Sequence, residues 1–186
     1  MASYLERQAR RRAGAARASL MLAMAGVPVP VGKTNDPRPL YVSRALRNAG
    51  PLRRWALGVG LPNVEPESEM HVTIAYSRAP VRWLDMGATW TEEVHVPGGG
   101  PRTIERLGPE GRTVALGFVS ADLTCRHEDL RERGASWDWP SYLAHVTIAK
   151  DVPESFDASA LTPYTGRLIF GPEIFEAIEE SGKVDK

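Results

Sequence analysis

The chain has 186 residues with 23 basic and 23 acidic side chains, a formal net charge of zero. Nothing global steers such a chain to nucleic acid or a membrane surface, although a neutral total leaves room for a local basic groove. A hydrophobic fraction of 42% beside 25% charged residues fits one soluble globular domain with a sizeable core, and the single cysteine, Cys125, excludes an internal disulfide framework and suits a reducing compartment.

Residues 1–18 stand apart. They hold Arg7, Arg10, Arg11, Arg12 and Arg17 against Glu6, a local charge of +4 that the rest of the chain offsets with −4. An amphipathic helix is expected through about Met24. The composition is equally that of a solvated extension, an organelle transit peptide, or an arm for a partner or nucleic acid. The run Gly26-Val27-Pro28-Val29-Pro30-Val31-Gly32-Lys33-Thr34 looks like a phosphate-binding loop, but five residues separate its glycines instead of four. Two of the five are prolines, which lack the N–H donors a phosphate cradle needs. A Pro-rich linker to Pro39 is the better reading. The weakly polar run from Ser19 to Gly32 is too short to span a bilayer. The expected organisation is therefore an N-terminal extension and linker over 1–39 and a folded domain over 40–186.

Within that domain Leu40 to Ser43 reads as a strand, and Pro51 to Leu57 as a helix closed by Gly58 and Gly60. Met70 to Ser77 reads as a strand. Thr91 to Val96 and Arg102 to Leu107 read as a hairpin around Gly98-Gly99-Gly100-Pro101. Thr113 to Ser120 is an apolar strand, and Ala121 to Arg133 a helix ended by Gly134. Leu143 to Ala149, Gly166 to Phe170 and Ile174 to Ile178 complete the strands. The class is α+β.

One pentapeptide occurs twice: His-Val-Thr-Ile-Ala at 71–75 and again at 145–149, in a chain with four histidines. Each copy follows a helix–loop segment, which suggests a pseudo-duplicated fold of two similar lobes. Strand alternation puts His71, Thr73 and Ala75 on one face and Val72, Ile74 and Tyr76 on the other, with the same division in the second copy. If a two-fold relates the lobes, the two polar faces line one cleft holding His71, Thr73, His145 and Thr147. Two facing imidazoles suit phosphodiester transfer, one as base and one as acid near neutral pH. The threonine hydroxyls can donate to the phosphate oxygens on which charge builds. A metal site joining these histidines to His95 or His127 would want carboxylates or cysteines close by, and the polar faces carry none. A lone His-x-Thr carries little information; an exact recurrence with the rare histidine carries much more.

The paired His-x-Thr strands resemble the signature of the 2H phosphoesterase superfamily, whose fold is two-lobed, with antiparallel sheets lining a central cleft and helices outside. Flanking blocks are similar to one branch, the phage anti-CBASS nuclease family. These are Leu40-Tyr41-Val42-Ser43-Arg44, Tyr76-Ser77, Pro80-Val81-Arg82-Trp83, Gly134-Ala135-Ser136-Trp137-Asp138-Trp139-Pro140 and Phe170-Gly171-Pro172-Glu173. The resemblance covers roughly Leu40 to Glu180 and leaves residues 1–39 without a counterpart.

It implies an enzyme hydrolysing the 3′–5′ bonds of cyclic di- and trinucleotide messengers, such as 3′,3′-cGAMP, in the cytosol of a bacterial host, and so evading CBASS immunity. No metal and no cofactor is implied, with a ribose 2′-hydroxyl as nucleophile and a 3′-phosphorylated linear product. His71, Thr73, His145 and Thr147 are the implied catalytic set. For substrate binding, Tyr41 is expected to stack on a base, Trp137 and Ser141 to wall the base pocket, and Glu173 to accept from a base edge. The expected partner is the cyclic oligonucleotide, with no membrane and no long nucleic acid; the oligomeric state stays open. Two alternatives remain: processing of RNA ends bearing 2′,3′-cyclic phosphates or 2′–5′ linkages, and a non-catalytic nucleotide sponge or virion module.

Overall fold

The structure is a computed structural model that describes residues 36–178. The expected N-terminal helix and most of the linker lie outside the described residues. Eight strands and two α-helices follow in the order β1 (Arg38–Ala45), α1 (Ala49–Gly58), β2 (His71–Val81), β3 (Val94–Val96), β4 (Arg102–Leu107), β5 (Thr113–Phe118), α2 (Ala121–Glu132), β6 (His145–Ala149), β7 (Leu168–Phe170) and β8 (Ile174–Glu176). No helix among the described residues is long and apolar enough to cross a membrane.

Six strands form one antiparallel sheet in the order β4-β5-β6-β2-β1-β8, and β3 pairs with β7 in a separate two-stranded sheet. The two lobes are thus β1–α1–β2 and β5–α2–β6, and the repeated strands β2 and β6 are neighbours at the centre. They meet at one registered pair, Val72 with Val146. Both valines, with Ile74 and Ile148, are fully buried, so apolar burial fixes which face of each strand turns inward.

The register repeats as well as the sequence. In the first lobe Ser43 pairs with Thr73 and Val42 with Ala75, so Ile74 is an extra residue. In the second lobe Ala115 pairs with Thr147 and Val114 with Ala149, so Ile148 is the extra residue. Each copy of the pentapeptide therefore contains a β-bulge at its isoleucine.

The helices form where the sequence directs. Ala49, Leu52 and Ala56 give α1 one buried stripe. Pro51 sits in its first turn, where an amide N–H would lack a helical partner anyway. The Ser120 hydroxyl caps α2 by accepting from the Leu123 amide, and Gly134 closes it with φ near 104°.

The expected hairpin does not form. β3 pairs with β7, and β4 pairs with β5. Gly98-Gly99-Gly100-Pro101 therefore carries the chain from the small sheet to the large one. The Gly99 amide donates to the Thr165 carbonyl, and a Cβ on Gly98 would press on that same oxygen at 3.1 Å.

Candidate active site

Because directly paired residues share a face, the registers map the floor of the cleft. Antiparallel pairing through Val72 and Val146 sets Thr73 beside His145 and His71 beside Thr147. The two histidines are then diagonal neighbours, a relation that separates residues by about 7–8 Å. Outward from this quartet the floor is small on both sides: Ser43 and Ala45 on β1, Ala115 and Gly117 on β5. A phosphate set over the quartet meets two imidazoles and two hydroxyls, with small side chains directly beside it on both flanking strands.

Both histidines are oriented in the same way. His71 Nδ1 lies 2.6 Å from the Glu69 carbonyl and His145 Nδ1 lies 2.8 Å from the Leu143 carbonyl. A carbonyl only accepts, so Nδ1 carries the hydrogen in both rings. In the neutral rings Nε2 is left as the unprotonated, cleft-facing nitrogen.

The surroundings of the two rings differ. Tyr41 places its hydroxyl 2.7 Å from His71 Nε2 and 2.8 Å from Thr73 Oγ1. With His71 neutral, the tyrosine O–H donates to Nε2 and the threonine O–H donates to the tyrosine oxygen. Burial pushes His71 below the ordinary imidazole value of 6.5. The Glu69 bond opposes that shift, while the positive charges of Lys150 and His145 add to it. Burial likewise pushes the Tyr41 hydroxyl up to about 12, with the Glu176 carboxylate contributing. Tyr41 is thus a proton donor throughout the physiological range.

Tyr41 does not sit as a stacking platform. It is only 8% exposed and meets His71 and Tyr76 in T-shaped contacts, so too little of it is open for a base to stack on. The open aromatic surface is Trp139, which is 51% exposed and touches Tyr76 and Trp137. Trp137 is partly buried, and its indole N–H donates to the carbonyl of exposed Ser141 at 3.3 Å. These two residues therefore shape the loop that presents Trp139.

Glu173 is not brought to the cleft. Its side chain is fully buried, with the Arg126 guanidinium on both oxygens at 2.9 and 3.1 Å, the Trp90 amide at 2.8 Å and Arg44 at 3.6 Å. A carboxylate so buried and so engaged is out of a nucleobase's reach. It pairs with two buried arginines, of which Arg126 also pairs with Asp129, a structural task.

Four contributors were not expected at the site from the sequence: Tyr76, Gly117, Thr103 and Glu105. Tyr76 was expected to face away from His71, but it pairs with Tyr41 and shares its face, because the bulge at Ile74 shifts the alternation by one residue. The signal was available: in His-Val-Thr-Ile-Ala the last two residues are both apolar, and both are buried in each copy. Gly117 lies opposite His145, and a Cβ there would fall 2.4 Å from Thr103 Oγ1 and 3.7 Å from Glu105 Cγ. Thr103 and Glu105 on β4 therefore lean over the glycine beside the second histidine. Neither carries a sequence signal. Among the described residues no three His, Cys, Asp or Glu side chains gather as a metal-binding group.

The family model for anti-CBASS protein Acb1 matches residues 38–185. The chain belongs to the Acb1 family. An Acb1 protein of Caulobacter sp. (strain RHG1) is 48% identical over 147 residues, covering 77% of this chain and 23% of that protein. One from Sphingomonas paeninsulae is 43% identical over 152 residues, covering 79% and 24%. The Acb1 of Enterobacteria phage T4 is 31% identical over 104 residues, covering 55% and 65%. The chain thus spans about a quarter of the length of its two bacterial relatives. Among solved structures, E. coli LigT complexed with 3′-AMP aligns over 80% of this chain and 93% of its own, with a TM-score of 0.53 at 14% identity. LigT complexed with NADP+ gives 0.54 at 16% identity. At such identity the likeness concerns the fold, that of a 2H phosphoesterase, which is also the fold expected from the duplicated strand.

Proposed function

We propose that this Acb1-family domain hydrolyses 3′–5′ phosphodiester bonds of cyclic di- and trinucleotides, and so disarms a messenger of CBASS immunity in a bacterial cytosol. The observation that carries the reading is the pair of diagonally related imidazoles, each held with Nε2 toward one floor of small and hydroxyl-bearing residues.

The chemistry follows from the two environments. His71, buried and held below the ordinary value, is unprotonated at neutral pH and is the base. Its Nε2 takes the proton of a ribose 2′-hydroxyl, directly or through the Tyr41 hydroxyl that now bonds to it. The 2′-oxygen forms a bond to the adjacent phosphorus, the bond to the departing 5′-oxygen breaks, and protonated His145 supplies the proton that 5′-oxygen needs. The resulting 2′,3′-cyclic phosphate opens when water attacks with the two roles reversed, leaving a linear product with a 3′-phosphate. Thr73 and Thr147 donate to the non-bridging oxygens as charge accumulates. Every proton in this scheme moves between groups of the chain and the substrate, so the reaction should survive chelation.

Trp139, the exposed aromatic face nearest Tyr76, is the base-stacking surface; such a stack is worth about 1–3 kcal/mol. The test is mass spectrometry of 3′,3′-cGAMP incubated with the protein in EDTA. Conversion to a linear dinucleotide with a terminal 3′-phosphate supports the reading. Persistence of the cyclic substrate, with turnover of RNA 2′,3′-cyclic phosphate ends instead, favours the RNA-processing alternative. Binding without turnover marks a sponge.

A further inference from the structure

His127 is a buried histidine with no part in the reaction above. It lies on α2 with its side chain against β2, and its Nδ1 is 2.8 Å from the Ile74 carbonyl. Ile74 is the extra residue of the bulge that turns Tyr76 into the cleft. The next carbonyl back, that of Thr73, accepts from the Tyr142 hydroxyl at 2.9 Å. The His127 and Tyr142 rings stack at 4.3 Å and 9°, and Trp137 packs edge-on against His127 at 4.7 Å.

We infer that His127 is a positioning residue for the first catalytic strand: by donating to the Ile74 carbonyl it fixes the bulge that aims Thr73 and Tyr76 at the substrate. The inference rests on the reading of the cleft as a phosphodiesterase site.

The second lobe provides the contrast. The equivalent bulge carbonyl, Ile148, accepts from the backbone amide of Glu65 at 2.9 Å. Main chain secures one bulge and a single side chain secures the other. A buried carbonyl stripped of its donor is costly, and a bulged strand has other registers open to it. Removal of the His127 donor therefore lets β2 relax, which moves Thr73 Oγ1 and, through Tyr41, the partner of His71 Nε2. The same contacts join the base-facing loop to the reacting groups, since Trp137 touches Trp139 on one side and His127 on the other.

Two variants separate positioning from packing. His127→Phe keeps a stacking ring and loses the donor; His127→Asn loses the ring but keeps an amide N–H close to the place of Nδ1. With 3′,3′-cGAMP as substrate, His127→Phe should lower kcat by about ten- to a hundredfold, the scale on which small misplacements act, with KM little changed. His127→Asn should recover most of kcat despite a lower Tm. Activity and stability then rank the variants in opposite orders. If kcat instead follows Tm, with Asn worse than Phe, the role is packing and the inference is overturned. Should His127→Phe not fold, Tyr142→Phe removes the neighbouring donor alone and should show the same loss confined to kcat; full activity there overturns the inference. A wild-type protein inactive on every cyclic nucleotide refutes the proposed function, and the positioning is then read by NMR. The His71 imidazole resonances should move in His127→Phe and stay in His127→Asn, and unmoved resonances in both variants overturn it.

Discussion

The first lobe sets its histidine against a buried tyrosine, whereas the second sets its histidine beside a glycine over which a threonine and a glutamate lean. Everything beneath these differences is shared: the pentapeptide, the bulge at its isoleucine, and the Nδ1 bond to the carbonyl two residues earlier. The common parts build the scaffold and fix both tautomers, and in the proposed reaction the unshared neighbours assign the roles. A symmetric pair of imidazoles would be interchangeable. Here one is desolvated and bonded through Tyr41 to Thr73, so in the proposed reaction base and acid are chosen before substrate arrives.

The largest expected effect tests what the lobes have in common. His71→Ala and His145→Ala should each lower kcat by about 10²–10⁴-fold, the usual weight of a general acid or base, with 3′,3′-cGAMP binding by calorimetry retained. An equal loss of binding would mean that the rings hold the ligand and do not transfer protons.

Next in size is the buried charge cluster that joins α2 to β1. Glu173→Ala should cost about 3–5 kcal/mol of stability by removing the buried carboxylate that pairs with both Arg126 and Arg44. Denaturant unfolding measures this, and a change in base preference at unchanged stability would restore Glu173 to the substrate site.

The buried imidazoles also set a pH dependence. His71 and His127 are both held below 6.5 by burial. The unfolded chain therefore binds more protons than the folded one once pH falls under that value. Their contribution to stability is complete above about 6.5 and is lost as pH drops through the lower folded values. Tm measured from pH 8 to pH 4 should be flat at first and then fall, and the fall should shrink in His127→Phe.

Smaller effects probe the differences between the lobes. Tyr41→Phe keeps the ring and removes the hydroxyl joining His71 to Thr73. Of its two hydrogen bonds the one to His71 Nε2, at about 1 kcal/mol, corresponds to a loss of about five- to tenfold in kcat. Gly117→Ala makes the second lobe resemble the first, where Ala45 holds the equivalent place opposite His71. The added methyl displaces only the end of the Thr103 side chain, so less than a tenfold change is expected. A larger loss would show that Thr103 or Glu105 acts on the substrate.

Much of this was legible in the sequence, for identifiable reasons. The duplicated strand announced itself through a rare histidine in an exact repeat, and the helices through Pro51, Ser120 and Gly134. The His71, Thr73, His145 and Thr147 quartet needed only alternation over three residues, which the bulge leaves intact. Tyr76 lies beyond the bulge, so plain alternation sent it to the wrong face. Tyr41 has the right residue type for stacking, but its depth is set by β2 and β8 on either side of it, partners far along the chain. Glu173 follows Gly171-Pro172 and was expected to accept from a base edge; its burial depends on Arg126 and Arg44, which the fold gathers from α2 and β1. The hairpin failed because β3 found a partner some seventy residues away.

The claim on which the rest depends is that two unlike imidazoles share one phosphate, and the pH–rate profile of kcat/KM tests it most directly. The wild-type profile should be a bell, with its acidic limb below the ordinary imidazole value because His71 must lose its proton. Residual activity of His71→Ala should lose that limb alone, and that of His145→Ala should lose the basic limb alone. A wild-type profile with a single limb, or variants that keep both, would contradict the assignment of base to the first lobe and acid to the second.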